Sequence, residues 1–168
     1  HTTWQDLPLP VQHQAKRCLL DLLGALLAGT QTPVARLMAD LAVAQYPGDE
    51  AAIVGTNRRA SLIGATLANG FAANALDIDD GYRLVKGHPG ACVLPVLLAA
   101  AERRAPLSGA SFLAALIVGY EIGIRAGLIR HALYTVYHSS GSWGAIAGAA
   151  VAGRVWGFDA ALLRHAMG

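Results

Sequence analysis

The sequence predicts an all-α helical bundle, and three observations carry that reading. Of the 168 residues, 33 are Ala and 19 are Gly, so 52 positions carry almost no side chain. Ala at that density favours helix over sheet and lets backbones approach closely. Apolar residues come in long blocks separated by Pro- and Gly-containing breaks, which is how helices are punctuated in a sequence. Beyond Ala51–Val54, no segment shows strand-period alternation or a hairpin turn signal. Hydrophobic residues reach 54% and charged residues only 14%, against roughly 25% charged in an ordinary soluble domain. That balance excludes a disordered chain. Residues 1–168 are read as a single, incomplete helical domain.

The elements run in order. Pro8 and Pro10 sit where a first helical turn tolerates proline, and Val11 to Ala28 reads as helix. Its apolar residues, among them Cys18, Leu19, Leu22, Leu23 and Leu26, wrap most of the circumference, which makes this helix central. Gly29-Thr30-Gln31-Thr32-Pro33 ends it, Val34 to Gln45 forms a second helix, and Pro47-Gly48-Asp49 stops that one. Ala51 to Val54 is a short extended segment, and Ser61 to Leu76 is a third helix rich in small residues. Asp77 to Gly90 is a long polar stretch. Ala91 to Arg104 is helical with Pro95 in its early turns, and Pro106-Leu107-Ser108-Gly109 breaks it. Ser108 caps a helix from Ala110 to about Gly127. Leu128 to His138 reads neither way. Ser142 to Val155 is helical, with Gly144, Gly148 and Ala152 at four-residue spacing marking a close helix–helix contact. Asp159 caps a last helix that is still running at Gly168, so the sequence is expected to be part of a longer chain. His1, which is not a natural first residue, carries the same expectation of a processed, trimmed or engineered N-terminus.

Several function classes are excluded by composition. Mean hydropathy is +0.41. The uncharged run Ala60 to Leu76 is nevertheless only 17 residues long and contains Ser61, Thr66, Asn69 and Asn74. A spanning helix needs about 20 mostly apolar residues, so this run is expected to be a buried helix and no membrane partner is expected. Net charge is +2, with 11 Arg and 2 Lys scattered singly or in pairs and no aromatic ladder, which argues against nucleic acid. Cys18 and Cys92 make neither a disulfide framework nor a C-x-x-C metal pair, so a reducing, cytoplasmic setting is expected. So little charge on so apolar a chain implies that part of its surface is covered by a second domain or subunit.

The chemistry concentrates in two places. Asp77, Asp79 and Asp80 crowd three of the 11 acidic residues into four positions, with Gly81, Tyr82, Arg83, Lys86, Gly87, His88, Pro89 and Gly90 just after them. Crowded like charges cost stability unless a cation, a donor or solvent offsets them. A solvated loop with capping aspartates is the plain alternative. An EF-hand would need Gly at its sixth and Glu at its twelfth position, where Tyr82 and His88 stand. Asp77 and Asp80 have the spacing of a magnesium-binding pair but no second aspartate cluster completes the clamp, so no metal is assigned. Pro89 holds His88 out of the helical region and opens a helix. The N–H groups of Gly90, Ala91 and Cys92 are then expected to be unpaired and to favour an anion, with His88 beside it as proton donor or acceptor. The second place is His138-Ser139-Ser140-Gly141-Ser142, again a histidine and small hydroxyl residues ahead of a helix. His1, His13, His131 and His165 are read as structural. No G-x-S-x-G elbow, Walker loop or Rossmann fingerprint is present.

Asn74-Ala75-Leu76-Asp77-Ile78-Asp79-Asp80-Gly81, then Gly87-His88-Pro89-Gly90-Ala91 and Val93-Leu94-Pro95, resemble the signature of the MmgE/PrpD family. Gly119-Tyr120-Glu121-Ile122-Gly123 with Arg125, and His138 followed by Gly141-Ser142-Trp143-Gly144-Ala145, are similar to its later helical motifs. The likeness runs in order from about Leu19 to the end. The family includes 2-methylcitrate dehydratase, cis-aconitate decarboxylase and iminodisuccinate epimerase. The resemblance implies an all-helical larger domain, of which this is the N-terminal portion, and a smaller α/β lid that is absent here. It also implies homodimerisation and cofactor-independent chemistry on small polycarboxylates.

By that resemblance Asp77, His88 and His138 match the family's catalytic residues, with Asp77 orienting or tuning His88. Tyr82 and Lys86 are candidates to bind substrate carboxylates, and the helix starts at Gly90 and Ser142 to add anion contacts. Gly81 stands where many members have Thr. By the same resemblance the Asp77–His88 spacing is about one residue longer than in the decarboxylase branch, which counts against that substrate, and a 2-methylcitrate dehydratase-like lyase is expected. Without the lid the isolated chain is expected to be inactive or nearly so. The alternative from another class is a non-catalytic helical assembly module.

Overall fold

The computed structural model describes residues 2–104, 106–136 and 138–168, so the reading of His1 lies outside the described residues. The chain opens with α1 (Leu9–Gly29) and turns sharply into α2 (Pro33–Gln45). Pro8 and Pro10 precondition the first turn of α1, as expected, and Thr32 caps α2 by accepting from the Ala35 N–H at 3.3 Å. Leu22 and Leu26, on the inward face of α1, are wholly buried.

The short extended segment is real but smaller than expected, and it has a partner that the sequence did not reveal. Strand β1 (Ala51–Ala52) pairs antiparallel with β2 (Arg59–Ala60). Its register is fixed from outside the pair. The buried Asn69 on α3 (Leu62–Asn74) accepts from the Val54 N–H at 2.9 Å and donates to the Ala52 carbonyl at 3.0 Å. A buried amide satisfied on both sides holds the hairpin to the helix, because leaving either group unpaired there would cost about 1–3 kcal/mol. Ser61 caps α3 through the Gly64 N–H at 3.2 Å.

After the polar stretch come α4 (Pro89–Arg103), α5 (Gly109–Leu133), α6 (Gly144–Trp156) and α7 (Ala160–Met167). Seven helices are found among the described residues, and the architecture is predominantly α, as the sequence predicted. Ser108 and Asp159 cap α5 and α7. The main core joins Leu22 and Leu26 of α1 to Val93, Leu94 and Leu97 of α4, Leu116 of α5 and Val151 of α6.

Small residues set the helix spacing. A Cβ on Gly144 or Gly148 would come within 2.7 Å of the Cys92 sulfur and 3.3 Å of Val96, so the expected stripe on α6 does meet α4 closely. A second stripe lies on α5, where Gly119, Gly123 and Gly127 face Val93 and Val151, Ala147, and Val85 in turn. Gly127 does not end α5, which continues to Leu133 and absorbs the first part of the stretch that read neither way. By length and apolar content α5 could cross a bilayer, and a third of its most apolar window is buried within this fold. It packs against α1, α4 and α6.

Candidate active site

The polar stretch between α3 and α4 is a folded structure pinned at several points. The Tyr82 N–H donates to the Gly87 carbonyl at 3.0 Å, closing a tight loop around a single 3-10 turn, Arg83–Val85. Val85 is completely buried, and its carbonyl receives the Trp143 indole N–H at 3.1 Å and meets His131 Nε2 at 3.0 Å. His131 thus has the structural role expected of it. Asp77 and Lys86 both take left-handed backbone angles, φ 54° and 51°, which carboxylate- and amine-bearing residues adopt at some cost.

This loop delivers His88 to the start of α4, in the extended conformation that a following proline imposes. The ring stands between two carboxylates. His88 Nε2 lies 3.2 Å from Asp77 Oδ1, and Nδ1 lies 3.3 Å from Asp79 Oδ2. The two aspartates differ sharply in setting: the Asp77 side chain is 81% exposed and that of Asp79 is fully buried. Asp79 is steadied by the Asn74 amide, which donates to its two oxygens at 2.9 and 3.2 Å. The Nδ1–Asp79 approach is within ion-pair reach but is misaligned for a formed hydrogen bond. Asp77, Asp79 and His88 bring one ligand atom each within 4.8 Å of one another, a spacing that a cation would tolerate.

Beside this group opens a cleft of about 670 Å³, walled by α3, the first turns of α4 and the start of α6. Its polar side chains are Thr66, Asn74, His88, Cys92 and Ser140, set among Leu67, Phe71, Pro95 and alanines. Burial pushes the Cys92 thiol up to about 11, with Ser140 holding back part of the rise, so this cysteine is a poor nucleophile.

The second histidine segment reaches the same cleft, but through other residues. Ser140 accepts the His88 backbone N–H at 2.7 Å and lines the cleft with Gly141 and Gly144. His138 itself is exposed and stands outside the cleft lining. Ser142 does not begin the helix: Ser140–Ser142 is a 3-10 turn, α6 starts at Gly144, and the Ser142 hydroxyl donates to the Ser139 carbonyl at 3.0 Å. Tyr82 and Lys86 are exposed on the loop and neither belongs to the lining.

The expectation of an open amide at Gly90 is corrected. The Gly90 N–H donates to Asp80 Oδ1 at 3.0 Å, so the third aspartate of the cluster already fills that anion position. Burial lifts the Asp80 carboxyl above its ordinary range, while Tyr120 and the Gly90 N–H pull it back. The Tyr120 hydroxyl, raised far above normal by burial and then by Asp80, faces that carboxylate without the geometry of a formed hydrogen bond. We therefore read its influence as that of a nearby dipole. Asn74, Asp79, Asp80 and Ser140 are the contributors that sequence reasoning did not assign to the site. Asp79 and Asp80 were visible as part of the acidic cluster. Nothing in the spacing distinguished Ser140 from its neighbours.

Comparison with known proteins supports the family resemblance. The family model described as the MmgE/PrpD N-terminal domain matches residues 1–168. A cis-aconitate decarboxylase-like protein, oryM, of Aspergillus oryzae is 32% identical over 92% of this chain and 34% of its own length. Cis-aconitate decarboxylase of Aspergillus terreus is 26% identical over 97% of this chain and 35% of its own length. The human cis-aconitate decarboxylase is 34% identical over 67% of this chain and 24% of its own length. The chain spans about a third of the length of the two fungal relatives. With the family model covering its whole length, the chain belongs to the MmgE/PrpD family, as the N-terminal domain.

Proposed function

We propose that this chain supplies the proton-transfer half of a lyase site acting on small polycarboxylates, with His88 as the acid/base group. The observation that carries the reading is an imidazole on the wall of a large cleft with one carboxylate facing each ring nitrogen. Imidazole is the side chain best suited to both taking and giving a proton near neutral pH. Asp79, fixed by Asn74, stands against the ring from the buried side, and the exposed Asp77 is free to shift as a ligand arrives.

Two reactions use that ring in opposite senses, the first as proton donor and the second as proton acceptor. In decarboxylation a C–C bond to a carboxylate breaks, CO2 leaves, and the electron pair left on carbon takes a proton. In dehydration a proton leaves the carbon next to a carboxylate and hydroxide leaves the neighbouring carbon. The names of the relatives support decarboxylation of a cis-aconitate-like acid. The second reading, dehydration of a 2-methylcitrate-like acid, rests on the family resemblance, by which the Asp77–His88 spacing counts against the decarboxylase branch.

Among the described residues lining the cleft there is no Lys or Arg to meet a substrate's carboxylates. The isolated chain is therefore expected to be inactive or nearly so, with cations supplied by a lid domain or a second subunit. Homodimerisation belongs to the same proposal. The exposed Leu20, Leu27 and Leu37 on α1 and α2 support it, and sedimentation giving only a 17.4 kDa monomer would count against it. A cytoplasmic location is part of the proposal too, supported by the two unpaired thiols Cys18 and Cys92 and testable by fractionation.

The main test is a chimaera in which this chain replaces the matching third of the A. oryzae relative. There His88→Ala is expected to cut turnover of cis-aconitate or 2-methylcitrate by at least about 100-fold. Unchanged turnover removes His88 from the mechanism. Offering the two acids side by side separates decarboxylation from dehydration. A chimaera that turns over neither, with no shift of the His88 ring resonances when either acid is added, favours the non-catalytic assembly module.

A further inference from the structure

The His88 main chain is tied to a residue 52 positions away. As the residue preceding the first turn of α4, His88 has an N–H outside the helical ladder, and that N–H must find a partner elsewhere. It finds the Ser140 hydroxyl at 2.7 Å. Gly87 makes the approach possible: a Cβ there would lie 2.1 Å from Ser140 Oγ and 2.9 Å from Ser140 N. The segment carrying Ser140 is itself anchored. Trp143 is 1% exposed and its indole donates to Val85, three residues before His88. The two segments are thus laced together twice, once at Val85 and once at His88. A hydroxyl that accepts from an amide keeps its own hydrogen to donate, and Ser140 is among the residues lining the cleft.

We propose that Ser140 is a positioning residue for His88: its hydroxyl holds the His88 main chain so that the ring stays between Asp77 and Asp79 at the wall of the cleft. The inference rests on the reading of His88 as the acid/base group. A misplacement of about 1 Å in such a group can cost about 100-fold in rate, which is why a tether on its own peptide matters. The residue acts through His88 and is not itself assigned a proton-transfer step.

The test uses the whole 168-residue chain, labelled with 15N, and two readouts. The first is amide hydrogen exchange. Ser140→Ala is expected to speed exchange at His88 by about five- to tenfold, the loss of one net hydrogen bond, while Leu22 and Ala39 in the core keep their rates. Ser140→Thr, which retains the hydroxyl, is expected to restore protection. An unchanged His88 amide in Ser140→Ala, or a Thr variant that fails to restore it, overturns the proposal. If Ser140→Ala does not fold, Gly87→Ala decides. Selective loss of protection at His88 supports the tether, and an undisturbed His88 amide sinks it.

The second readout is citrate titration followed at the His88 ring carbons. Weaker binding in Ser140→Ala, recovered in Ser140→Thr, is expected. Citrate that leaves the His88 ring of the unsubstituted chain unshifted argues against the polycarboxylate reading. The exchange measurements still judge the tether by themselves.

Discussion

Residues 77–90 and 138–144 share one grammar, a histidine and glycines ahead of a helix, and the fold uses them in opposite ways. In the first, the histidine is drawn in and set between carboxylates 3.2 and 3.3 Å away. In the second, the histidine faces solvent while Trp143 goes to the core and Ser140 reaches across to the other segment. The difference lies in the residues immediately C-terminal to each histidine. Pro89 starts α4 at once, so the helix end carries the His88 ring into place. After His138 the 3-10 turn Ser140–Ser142 intervenes before α6 begins at Gly144. A histidine before a helix is therefore a weak predictor of a site by itself, and the partners it meets decide its use.

The sharpest way to break this contrast is to set the buried indole of the second segment against its exposed histidine. Trp143→Ala removes a fully buried indole together with its hydrogen bond to Val85, and is expected to cost about 3–5 kcal/mol. His138→Ala, on an exposed side chain, is expected to stay within about 0.5 kcal/mol. Urea unfolding of both variants checks the pair. Equal losses would mean that His138 carries structure that this fold does not give it.

The fold was legible in the sequence to the extent that its signals are local. Ser108 and Asp159 mark helix starts by their own hydroxyl or carboxylate chemistry, and each caps the helix after it. Thr32 and Ser61 prove to do the same, though in the sequence Thr32 reads as part of a break and Ser61 as part of a helix. Gly127 misled because glycine has two uses. Here it makes room for Val85, whose Cβ would lie 2.8 Å from an added methyl, and ends nothing. The strand β2 was invisible because two residues carry no periodicity, and a buried Asn69 on another element sets the hairpin's place. In the site, the Asp77–His88 pairing was readable through the family resemblance, and the acidic cluster and histidine share one loop. The Ser140–His88 bond was not, since no spacing rule links residues 52 apart. Asp80 was counted with the acidic cluster, but its role depends on a helix end that only the folded chain brings to it.

A finer test compares the glycines of the two segments. Gly90 lies two residues after His88 and is enclosed: a Cβ there would meet Leu22 Cδ2 at 2.2 Å, Asp80 Oδ1 at 2.6 Å and the Tyr120 hydroxyl at 2.6 Å. The leucine methyl can give by a rotamer change, whereas the carboxylate is held by the Gly90 N–H itself, so relief must break the bond that anchors the start of α4. Gly90→Ala is expected to cost about 1–3 kcal/mol, as overpacking does, and to displace the His88 ring resonances. Gly141, three residues after His138, has nothing within 4 Å of the same added carbon and no left-handed backbone angle. Gly141→Ala is expected to be neutral or to stabilise by up to about 1 kcal/mol through the unfolded chain. Thermal unfolding of the two variants, with His88 spectra recorded on each, decides between them. If Gly90→Ala were as silent as Gly141→Ala, the Asp80 contact would be too loose to position α4, and the first segment would lose its claim to be the more tightly built of the two.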